Sequence, residues 1–453
     1  MRSAIPDVIG ARRALSGVRL ASGSNGQLGL LDGAPPARVT AAGAGDHAAV
    51  YQLLLSVFHA PTPDGFHAWL DDPFYEPRHR LLVKRADRIV SHVRLTERVA
   101  YFGTLQIPVS GLGWLATLPE FRGNGYAGQL LQASDHAMRG SRSQVGLLST
   151  RQPHFFRRHG WAVCGRQSHA SAGARRLLAQ LSAKGMPAEE QMLNIRPWRQ
   201  VELPGLMRLY SRNQAQAYGG YERSEAYWRW LISRKDFDQI YVALEGPDKF
   251  ELDIAGAPIV GYAIVKEDRV LELMTERDHP AAAEQLLARA CSEAIERDCH
   301  SIALHAPPGD RLFEVFRNAG GALCQSEVHH GEVFMAKLLD PPGLLRALCS
   351  ELHVRAERAK LVRPCGLGLL FEETKLRLTA TRRSVKLSRG KLGRSYLRLT
   401  SPEFTRLVLG HLDVREAVDC GRISASTRQA VDVAEALFPR LPLWRSPLDD
   451  LAG

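Results

Sequence analysis

The chain has few cysteines and no paired cysteine motif. Its 453 residues include seven cysteines, an odd number, and no two of them form a Cys-x-x-Cys pair. Disulfide-stapled domains need an even set of cysteines in an oxidising compartment, and zinc sites need closely spaced pairs. The sequence therefore argues against a disulfide framework, predicts no metal site, and favours reduced thiols in the cytosol.

Long apolar runs are also missing. No stretch approaches the roughly 18 consecutive apolar residues that a membrane-spanning helix needs. The first residues, up to Pro6, hold no apolar core before charges resume at Asp7, so we expect no secretory signal peptide. Together these two absences predict a cytoplasmic protein without a membrane span.

Acidic residues are too few to balance the basic ones. Lys and Arg number 59 against 48 Asp and Glu, which leaves a net charge of +11. Such an excess attracts polyanions, either a nucleic acid or a small phosphorylated cofactor. The basic segment 361–399 contains only two aromatic residues, Phe371 and Tyr396, too few for a row of base-stacking side chains. A solvated basic sheet face is therefore the favoured interpretation, and nucleic acid the less favoured one.

The order of the remaining elements predicts three domains, about the number expected at roughly 150 residues per domain. Apolar and polar periodicity gives an α/β unit that starts over in the second third of the chain, and an α+β pattern at the end. The predicted fold class is therefore α/β (α+β), with two tandem mixed-sheet units and a smaller third domain. The predicted segments are a flexible N-terminal extension (1–36), a first unit (37–170), a linker (171–190), a second unit (191–340) and a last domain (341–453).

Individual elements follow from the same patterns. In the first unit, strands are predicted at 37–40, 107–117, 144–149 and 161–164, a hairpin at 81–99, and helices at 46–58 and 154–159. In the second unit, strands are predicted at 192–195, 239–244, 257–265, 270–274 and 301–305, and helices at 200–211, 280–297 and 311–319. In the last domain, helices are predicted at 342–358, 402–409 and 426–438, and a strand pair at 368–379 and 383–391.

The most informative segment is a glycine-rich turn between a strand and a helix. Residues 110–131 read SGLGWLATLPEFRGNGYAGQLL, so Arg122-x-x-Gly125-x-Ala127 lies at the helix start. Glycine lets backbone amides approach a ligand closely, and a helix N-terminus attracts anions. The spacing is neither that of a dinucleotide-binding fingerprint nor that of a P-loop, which needs Gly-Lys-Ser/Thr. The segment predicts a pyrophosphate cradle to which Arg122 adds a forked cation.

The ordered combination of hairpin, strand, glycine-rich turn, helix and strand resembles the GNAT superfamily of acyl-CoA-dependent N-acetyltransferases. A following FFRRHGW segment at 155–161 belongs to the same pattern. The resemblance implies acetyl-CoA as co-substrate, with its pyrophosphate on the turn and its pantetheine arm along the preceding strand. It implies these cofactor-binding residues: Leu115, Ala116, Thr117, Arg122, Gly123, Asn124, Gly125, Tyr126 and Ala127.

The second unit lacks the turn. Its corresponding segment, Thr275 to Pro280, has no glycine, carries Glu276 and Asp278, and ends in a proline without an N–H. We therefore expect one cofactor site per chain. One intact unit, one degenerate unit and an α+β tail resemble the "enhanced intracellular survival" acetyltransferases, a resemblance that implies a sterol-carrier-protein-like last domain. It covers about residues 37 to 453.

Catalytic residues are harder to assign. In the resembled family the acid that protonates the leaving thiolate is commonly a tyrosine of the short helix, but the matching residue here is Phe156. His159, His154 or water are the substitutes, and Glu97 on a central strand is a candidate base. The resemblance also implies a role for the terminal carboxylate, here Gly453. Strand amides near Leu115 and Thr117 are expected to hold the oxyanion.

The acceptor is expected to be an amine, either a small molecule or a lysine side chain, and the chain is expected to form a homo-oligomer. The aromatic residues between Tyr218 and Trp230 either line an acceptor pocket or pack within the second unit. The pair His329–His330 is expected to be structural, because neighbouring strand residues point to opposite faces. Two other functions remain open: an acyl-CoA-binding regulatory protein, which Phe156 favours, and a nucleic-acid binder that uses the basic segment.

Overall fold

A computed structural model describes residues 38–165, 167–183, 192–246, 258–329 and 331–450. The predicted N-terminal extension (1–36) and Gly453 lie outside these residues. Within them, the predicted fold class is confirmed, since helices cover mixed sheets of parallel and antiparallel strands.

The first α/β unit follows the predicted order of elements closely. Its strands are β1 (Val39–Ala41), β2 (Arg80–Arg85), β3 (Arg88–Phe102), β4 (Leu105–Thr117), β5 (Val145–Thr150) and β6 (Ala162–Val163). Its helices are α1 (His47–Phe58), α2 (Pro63–Leu70), α3 (Tyr126–Gly140) and α4 (Pro153–Arg157). The sequence analysis missed α2, although its start has clear signals: the Thr62 side chain accepts a hydrogen bond from the Gly65 amide, and Pro63 opens the helix.

The linker predicted over 171–190 is wrong in its first part. Residues 167–173 form strand β7 (Gln167–Gly173), and helix α5 (Ala174–Ala183) follows directly. This strand could not be predicted from its sequence, QSHASAG, because it has no β-branched or large aromatic residue. Its inward side chains are small, with Ala170 and Ala172 packed in the core of the second unit. Residues 184–191, which include the rest of the predicted linker, lie outside the described part of the chain.

The second unit is also a mixed sheet covered by helices. This part of the chain contributes the strands β8 (Asn194–Pro197), β9 (Tyr218–Tyr221), β10 (Gln239–Leu244), β11 (Ile259–Lys266), β12 (Arg269–Thr275), β13 (Ser301–His305), β14 (Ala322–Ser326), β15 (Val328–His329) and β16 (Glu332–Leu338). Of these, β9, β15 and β16 belong to the first sheet. Its helices are α6 (Leu203–Gln214), α7 (Glu225–Ser233), α8 (Pro280–Glu296) and α9 (Leu312–Asn318). The elements β9, α7 and β14–β16 were not predicted.

The two units exchange strands. Strand β7, which follows the first unit in sequence, lies between β13 and β14 in the second sheet, whose order is β14-β7-β13-β12-β11-β10-β8. Strand β16, which ends the second unit, pairs with β5 over six residue pairs and also with β6. Strand β9 pairs with the end of β3 that extends beyond β2. Neither sheet is therefore complete without strands from the other half of the chain.

The last part of the chain is the predicted α+β pattern with changed bounds. Its strands are β17 (Cys365–Phe371), β18 (Thr374–Ala380), β19 (Val385–Arg389), β20 (Tyr396–Leu399) and β21 (Ser424–Ala425). Its helices are α10 (Pro341–Ala347), α11 (Cys349–Arg358), α12 (Ser401–Val408), α13 (Val414–Asp419) and α14 (Arg428–Leu437). The single strand predicted at 368–379 is wrong, because the chain turns at Glu372 with a positive φ of 50° and forms a hairpin.

This last domain shares a core with the first sheet. Phe102, Ile107 and Val109 of β3 and β4 pack in one cluster with Leu367 and Leu369 of β17. The segment after α14 then returns to the second unit, where the Trp444 amide donates to the Tyr218 carbonyl at 2.9 Å. In the part of the chain that the structure describes, no helix is long and apolar enough to cross a membrane.

Candidate functional site

Strands β4 and β5 lie side by side for only part of their length. They are paired in parallel from Val109 and Val145 to Gly111 and Leu147. Both strands continue further, β4 to Thr117 and β5 to Thr150, with no pairing between them in the described residues. Backbone groups of a strand need partners, so the β5-facing edge of β4 beyond Gly111 offers donors and acceptors to a ligand. This opening is the β4–β5 cleft.

A β-bulge shapes β4 at this cleft. Opposite β3, His92 pairs with Ala116 and Arg94 pairs with Gly113, so β4 has one extra residue between these pairs. The bulge includes Trp114, whose φ is +55°, a conformation that side-chain-bearing residues rarely adopt. A bulge redirects the backbone groups that follow it. Leu115, Ala116 and Thr117, whose amides are predicted to hold the pantetheine arm and the oxyanion, follow Trp114 directly along β4.

A buried histidine fixes the carbonyl of the bulge. The His92 Nδ1 donates to the Trp114 carbonyl at 3.0 Å, and its Nε2 accepts from Arg80 Nη1 at 3.2 Å. Burial and the neighbouring Arg80 lower the pKa of His92 well below its usual value. The imidazole is therefore neutral, with its proton on Nδ1, and holds the bulge in one conformation.

The glycine-rich turn adopts a backbone that only glycine takes easily. Gly123 and Gly125 have φ of +83° and +77°, and a Cβ on either one would meet no atom within 4 Å. Backbone shape, rather than crowding, therefore requires glycine, and the space before the turn is open. The Asn124 side-chain amide donates to the Phe121 carbonyl at 3.0 Å and closes the turn.

Helix α3 begins directly behind this turn without a side-chain cap. Gly125 is its N-cap, and no side chain accepts from the first-turn amides of Tyr126, Ala127 and Gly128 in the described structure. These free donors and the helix dipole make an anion-binding end. The Arg122 Nε donates to the Thr117 carbonyl at 3.3 Å, which links the turn to the end of β4. The nearby Glu120 carboxylate is paired with Arg88 at 2.8 Å, so it leaves the turn little net negative charge.

The structure places His159 beside the start of α3. A Cβ on Gly128 would lie 3.7 Å from its Cε1, and its ring packs against Phe155 with the centroids 5.1 Å apart. Lys337 of the exchanged strand β16 donates to the His159 carbonyl at 2.7 Å and to Asp135 of α3 at 2.5 Å. Sequence analysis missed this lysine because nothing in the chain order brings residue 337 to residue 159.

Phe156 lies in the core of the first unit. Its ring is 6% exposed and meets Trp161 edge-on, with centroids 6.3 Å apart. Neither ring carries the hydroxyl group of a tyrosine. The absence of a tyrosine proton donor, noted in the sequence, is thus accompanied by apolar packing.

The structure does not bring Glu97 to the bulge. Glu97 pairs with Ser110, three residues along β3 from the Arg94–Gly113 pair, or roughly 10 Å along the strand. Its carboxylate is half-exposed and lies 3.8 Å from the Nε2 of His79. The other candidate, Gly453, lies outside the described residues, and Asp450, the last described residue, is held by Arg445 at 2.7 Å.

The C-terminal segment is anchored by a buried group of charges. Arg223 donates to both carboxylate oxygens of Glu272 and to both of Asp449, at distances of 2.7 to 3.0 Å. The Tyr262 hydroxyl donates to Glu272 at 2.7 Å. Sequence analysis missed this group, in which Asp449 lies 226 positions from Arg223 and Arg223 lies 49 positions from Glu272.

The aromatic residues of α7 pack in the core of the second unit. Tyr227, Trp228 and Trp230 lie in one cluster with Tyr210, as the packing interpretation predicts. Trp230 also donates from Nε1 to the Ala68 carbonyl of α2 at 2.7 Å, so α7 contacts the first unit near the bulge.

The segment that corresponds to the glycine-rich turn in the second unit is built differently. Helix α8 begins with Pro280, and Glu276 before it pairs with Arg212 at 2.6 Å. Across the described ranges, no group of three or more His, Cys, Asp or Glu side chains is placed to hold a metal ion. The His330 of the histidine pair lies outside those ranges.

Comparison with known proteins supports the resemblance of the first unit. Residues 38–164 match the model of a family described as an acetyltransferase (GNAT) domain. No curated protein sequence matches the chain significantly.

Solved structures share the fold over most of the chain. A GCN5-related N-acetyltransferase from Anabaena variabilis has a TM-score of 0.70 at 15% identity, covering 90% of this chain and 99% of that one. A second, from Kribbella flavida, has a TM-score of 0.69 at 16% identity, covering 91% and 98%. Eis1 from Mycobacterium abscessus has a TM-score of 0.62 at 15% identity, covering 90% and 99%. At these identities the likeness shows the fold.

Proposed function

We propose that this chain is an N-acetyltransferase that moves an acetyl group from acetyl-CoA to a primary amine. The observation that carries the proposal is the combination, within the matched residues 38–164, of an opened cleft, a bulged strand and an uncapped helix start. The cleft fits a narrow arm such as pantetheine, and the helix start fits a pyrophosphate. The cleft and the helix start would thus bind the pantetheine arm and the pyrophosphate of one acetyl-CoA molecule.

The proposed cofactor contacts follow the chain. The backbone of Leu115, Ala116 and Thr117 binds the pantetheine arm and the thioester carbonyl. The turn from Arg122 to Ala127 binds the pyrophosphate, and Arg122 is the one basic residue in the sequence of that turn. The second unit, which has Glu276 and a helix-opening proline in the corresponding place, binds no cofactor in this proposal.

The reaction is a direct transfer. The neutral amine attacks the thioester carbon, and a tetrahedral oxyanion forms that the amides near Leu115 and Thr117 stabilise. The C–S bond then breaks, the nitrogen loses its proton to solvent, and the thiolate takes a proton. Because Phe156 has no proton to give, water or His159 supplies it.

The rest of the chain supports this chemistry. In the proposal, residues 37–170 hold the cofactor, residues 191–340 form a degenerate GNAT-like domain, and residues 341–453 form a sterol-carrier-like domain; the chain works in the cytosol as a homo-oligomer. All seven cysteines are free thiols in the structure, which suits a reducing compartment.

A second candidate function is an acyl-CoA-binding regulatory protein without turnover. The buried Phe156, in the place where the resembled family commonly has a tyrosine, favours it. This candidate predicts that acetyl-CoA binds but that no acetyl group leaves it.

An acetyl-transfer assay separates the two. Purified protein is incubated with acetyl-CoA and a panel of amines that includes a polyamine, an aminoglycoside, an amino acid and a lysine peptide. We expect amine-dependent release of free thiol, with one added acetyl group on the amine by mass spectrometry. Thiol release no faster than buffer hydrolysis with every amine, by a protein that binds acetyl-CoA, would favour the regulatory function.

A further inference from the structure

One face of strands β2 and β3 carries a row of buried polar side chains next to the bulge. Side chains alternate along a strand, so His92, Arg94, Thr96 and Arg98 share a face, and Arg80 lies opposite Arg94 on the neighbouring strand. All five are almost fully buried, with 0 to 7% of each residue exposed. Helix α2 and the loop that follows it cover this face.

The row contains more positive charge than the protein neutralises. Arg98 is paired with Asp72. Arg80 donates from Nε to the Tyr75 hydroxyl at 3.0 Å and from Nη1 to His92, so neither partner is a carboxylate. Arg94 has neither a hydrogen bond nor an ion pair with any described residue. Three guanidinium groups thus have one carboxylate among them.

Arg94 is a buried arginine without a carboxylate partner among the described residues. It is 3% exposed, and its guanidinium lies over the Trp69 ring, 4.7 Å from the centroid. Burial and then the charge of Arg80 lower the pKa of Arg94 to about 9. A buried charge without a counter-charge costs stability, and such a cost is often retained at a functional site.

Four donor and hydroxyl atoms on this face are left without partners in the described structure. They are Arg80 Nη2, Arg94 Nη1, Thr96 Oγ1 and Arg98 Nε. A carboxylate has two oxygens and matches the fork of a guanidinium group. The donors, the excess charge and the burial therefore all favour one kind of ligand group, a carboxylate.

The row lies beside the place where the reaction is proposed. Arg94 pairs with Gly113, the residue before Trp114 in the bulge. Trp69, which covers Arg94, also contacts the Trp114 ring with centroids 4.7 Å apart. A carboxylate on Arg94 thus sits next to the strand whose amides face the thioester in the proposed function.

We propose that the acceptor is a small amine that also carries a carboxylate, and that Arg94, with Arg80 beside it, binds that carboxylate. This inference rests on the proposed function. The same charges disfavour polyamines and other polycations, since like charges repel in a buried site. They also destabilise the ammonium form of the bound acceptor, which favours the neutral amine that attacks.

Matched pairs of acceptors test the proposal, because they differ only by the carboxylate. The pairs are lysine and cadaverine, arginine and agmatine, and tyrosine and tyramine. We expect kcat/KM to be about tenfold or more higher for the carboxylated member of at least one pair, the size of a lost charged hydrogen bond. In Arg94→Gln the ratio falls toward one. The control, Arg139→Gln, removes an exposed arginine from the end of α3 and keeps the wild-type ratio.

Folding is checked separately. Removing an uncompensated buried charge is expected to leave Arg94→Met at least as resistant to heat as the wild type. Lysine at saturating concentration raises the Tm of the wild type and leaves that of Arg94→Met unchanged. Arg94→Lys, which keeps a charge but loses the fork, retains part of the preference.

Three results would overturn the proposal. The first is equal kcat/KM within all pairs, which leaves the acetyltransferase function standing. The second is a preference that survives in Arg94→Gln. The third is a preference that the full chain lacks and that appears only in a variant truncated after Asp450. In that case the arginines of the full chain bind its own terminal carboxylate rather than the acceptor.

A failure of the proposed function gives a different pattern. If no amine is acetylated, calorimetric titration of lysine decides about the carboxylate site alone. Binding that is about tenfold weaker in Arg94→Gln supports the site, and the absence of binding to the wild type overturns it.

Discussion

Replacing Arg223 with alanine is expected to lower the free energy of unfolding by about 3–5 kcal/mol, the usual cost of removing one partner of a buried ion pair. The side chains of Arg223, Glu272 and Asp449 are all 0% exposed. The guanidinium also lies over the Tyr210 ring, 4.0 Å from its centroid. Without it, the two buried carboxylates lose the guanidinium that bridges them.

The exposed pair of Arg229 and Glu225 provides a matched control. These side chains are 70% and 59% exposed and lie 2.6 Å apart on α7, so Arg229→Ala is expected to cost no more than about 0.5 kcal/mol. Denaturant unfolding of both variants, followed by far-UV circular dichroism, measures the difference. Equal losses would contradict the assignment of Arg223 as the anchor of the C-terminal segment.

Replacing Trp161 with alanine is expected to cost about 3–5 kcal/mol, as for other large buried aromatic residues. Trp161 is 0% exposed. Its ring fills the space over Gly146 of β5, where an added Cβ would lie 2.9 Å from its Cη2. The Nε1 has no partner in the described structure, so the loss comes from packing rather than from a hydrogen bond.

The Trp161 prediction concerns the part of β5 that is still paired with β4, before the β4–β5 cleft opens, because the ring packs over Gly146 and meets Phe156 of α4. Thermal unfolding of Trp161→Ala and Trp161→Phe compares the two losses. We expect the phenylalanine variant to lose less, since it keeps part of the ring volume. A loss below about 1 kcal/mol in Trp161→Ala would show that the ring does not hold β5 against α4.

The first unit could be predicted from the sequence because its signals are local. The strand, turn and helix between residues 107 and 140 follow from apolar alternation, two glycines and an amphipathic helix, and the structure has all three. The positive φ at Gly123 and Gly125 is a property of the turn itself. The bulge at Trp114 was not foreseen, because a tryptophan gives no sign of a left-handed backbone.

The structural features that could not be predicted from the sequence depend on contacts between residues far apart in the chain. Strand β7 has no strand-forming composition, and its place between β13 and β14 follows from the packing of two sheets. Lys337 reaches Asp135 of α3 and the His159 carbonyl only because β16 crosses into the first sheet. The alternation of His92, Arg94 and Arg98 in a strand was visible, but only the fold shows that Arg94 is buried without a counter-charge.

Calorimetric titration of acetyl-CoA into the wild type and into Gly125→Glu tests the central claim most directly. The variant puts a carboxylate into the proposed pyrophosphate site, so binding is expected to weaken by about 100-fold, or about 2.7 kcal/mol. Gly309→Glu is the control, because Gly309 has a φ of +83° and no atom within 4 Å of an added Cβ, but lies in the second unit. Micromolar binding that Gly309→Glu retains and Gly125→Glu loses is the predicted result. A wild type that does not bind acetyl-CoA, or a Gly125→Glu variant that binds it equally well, would contradict the account.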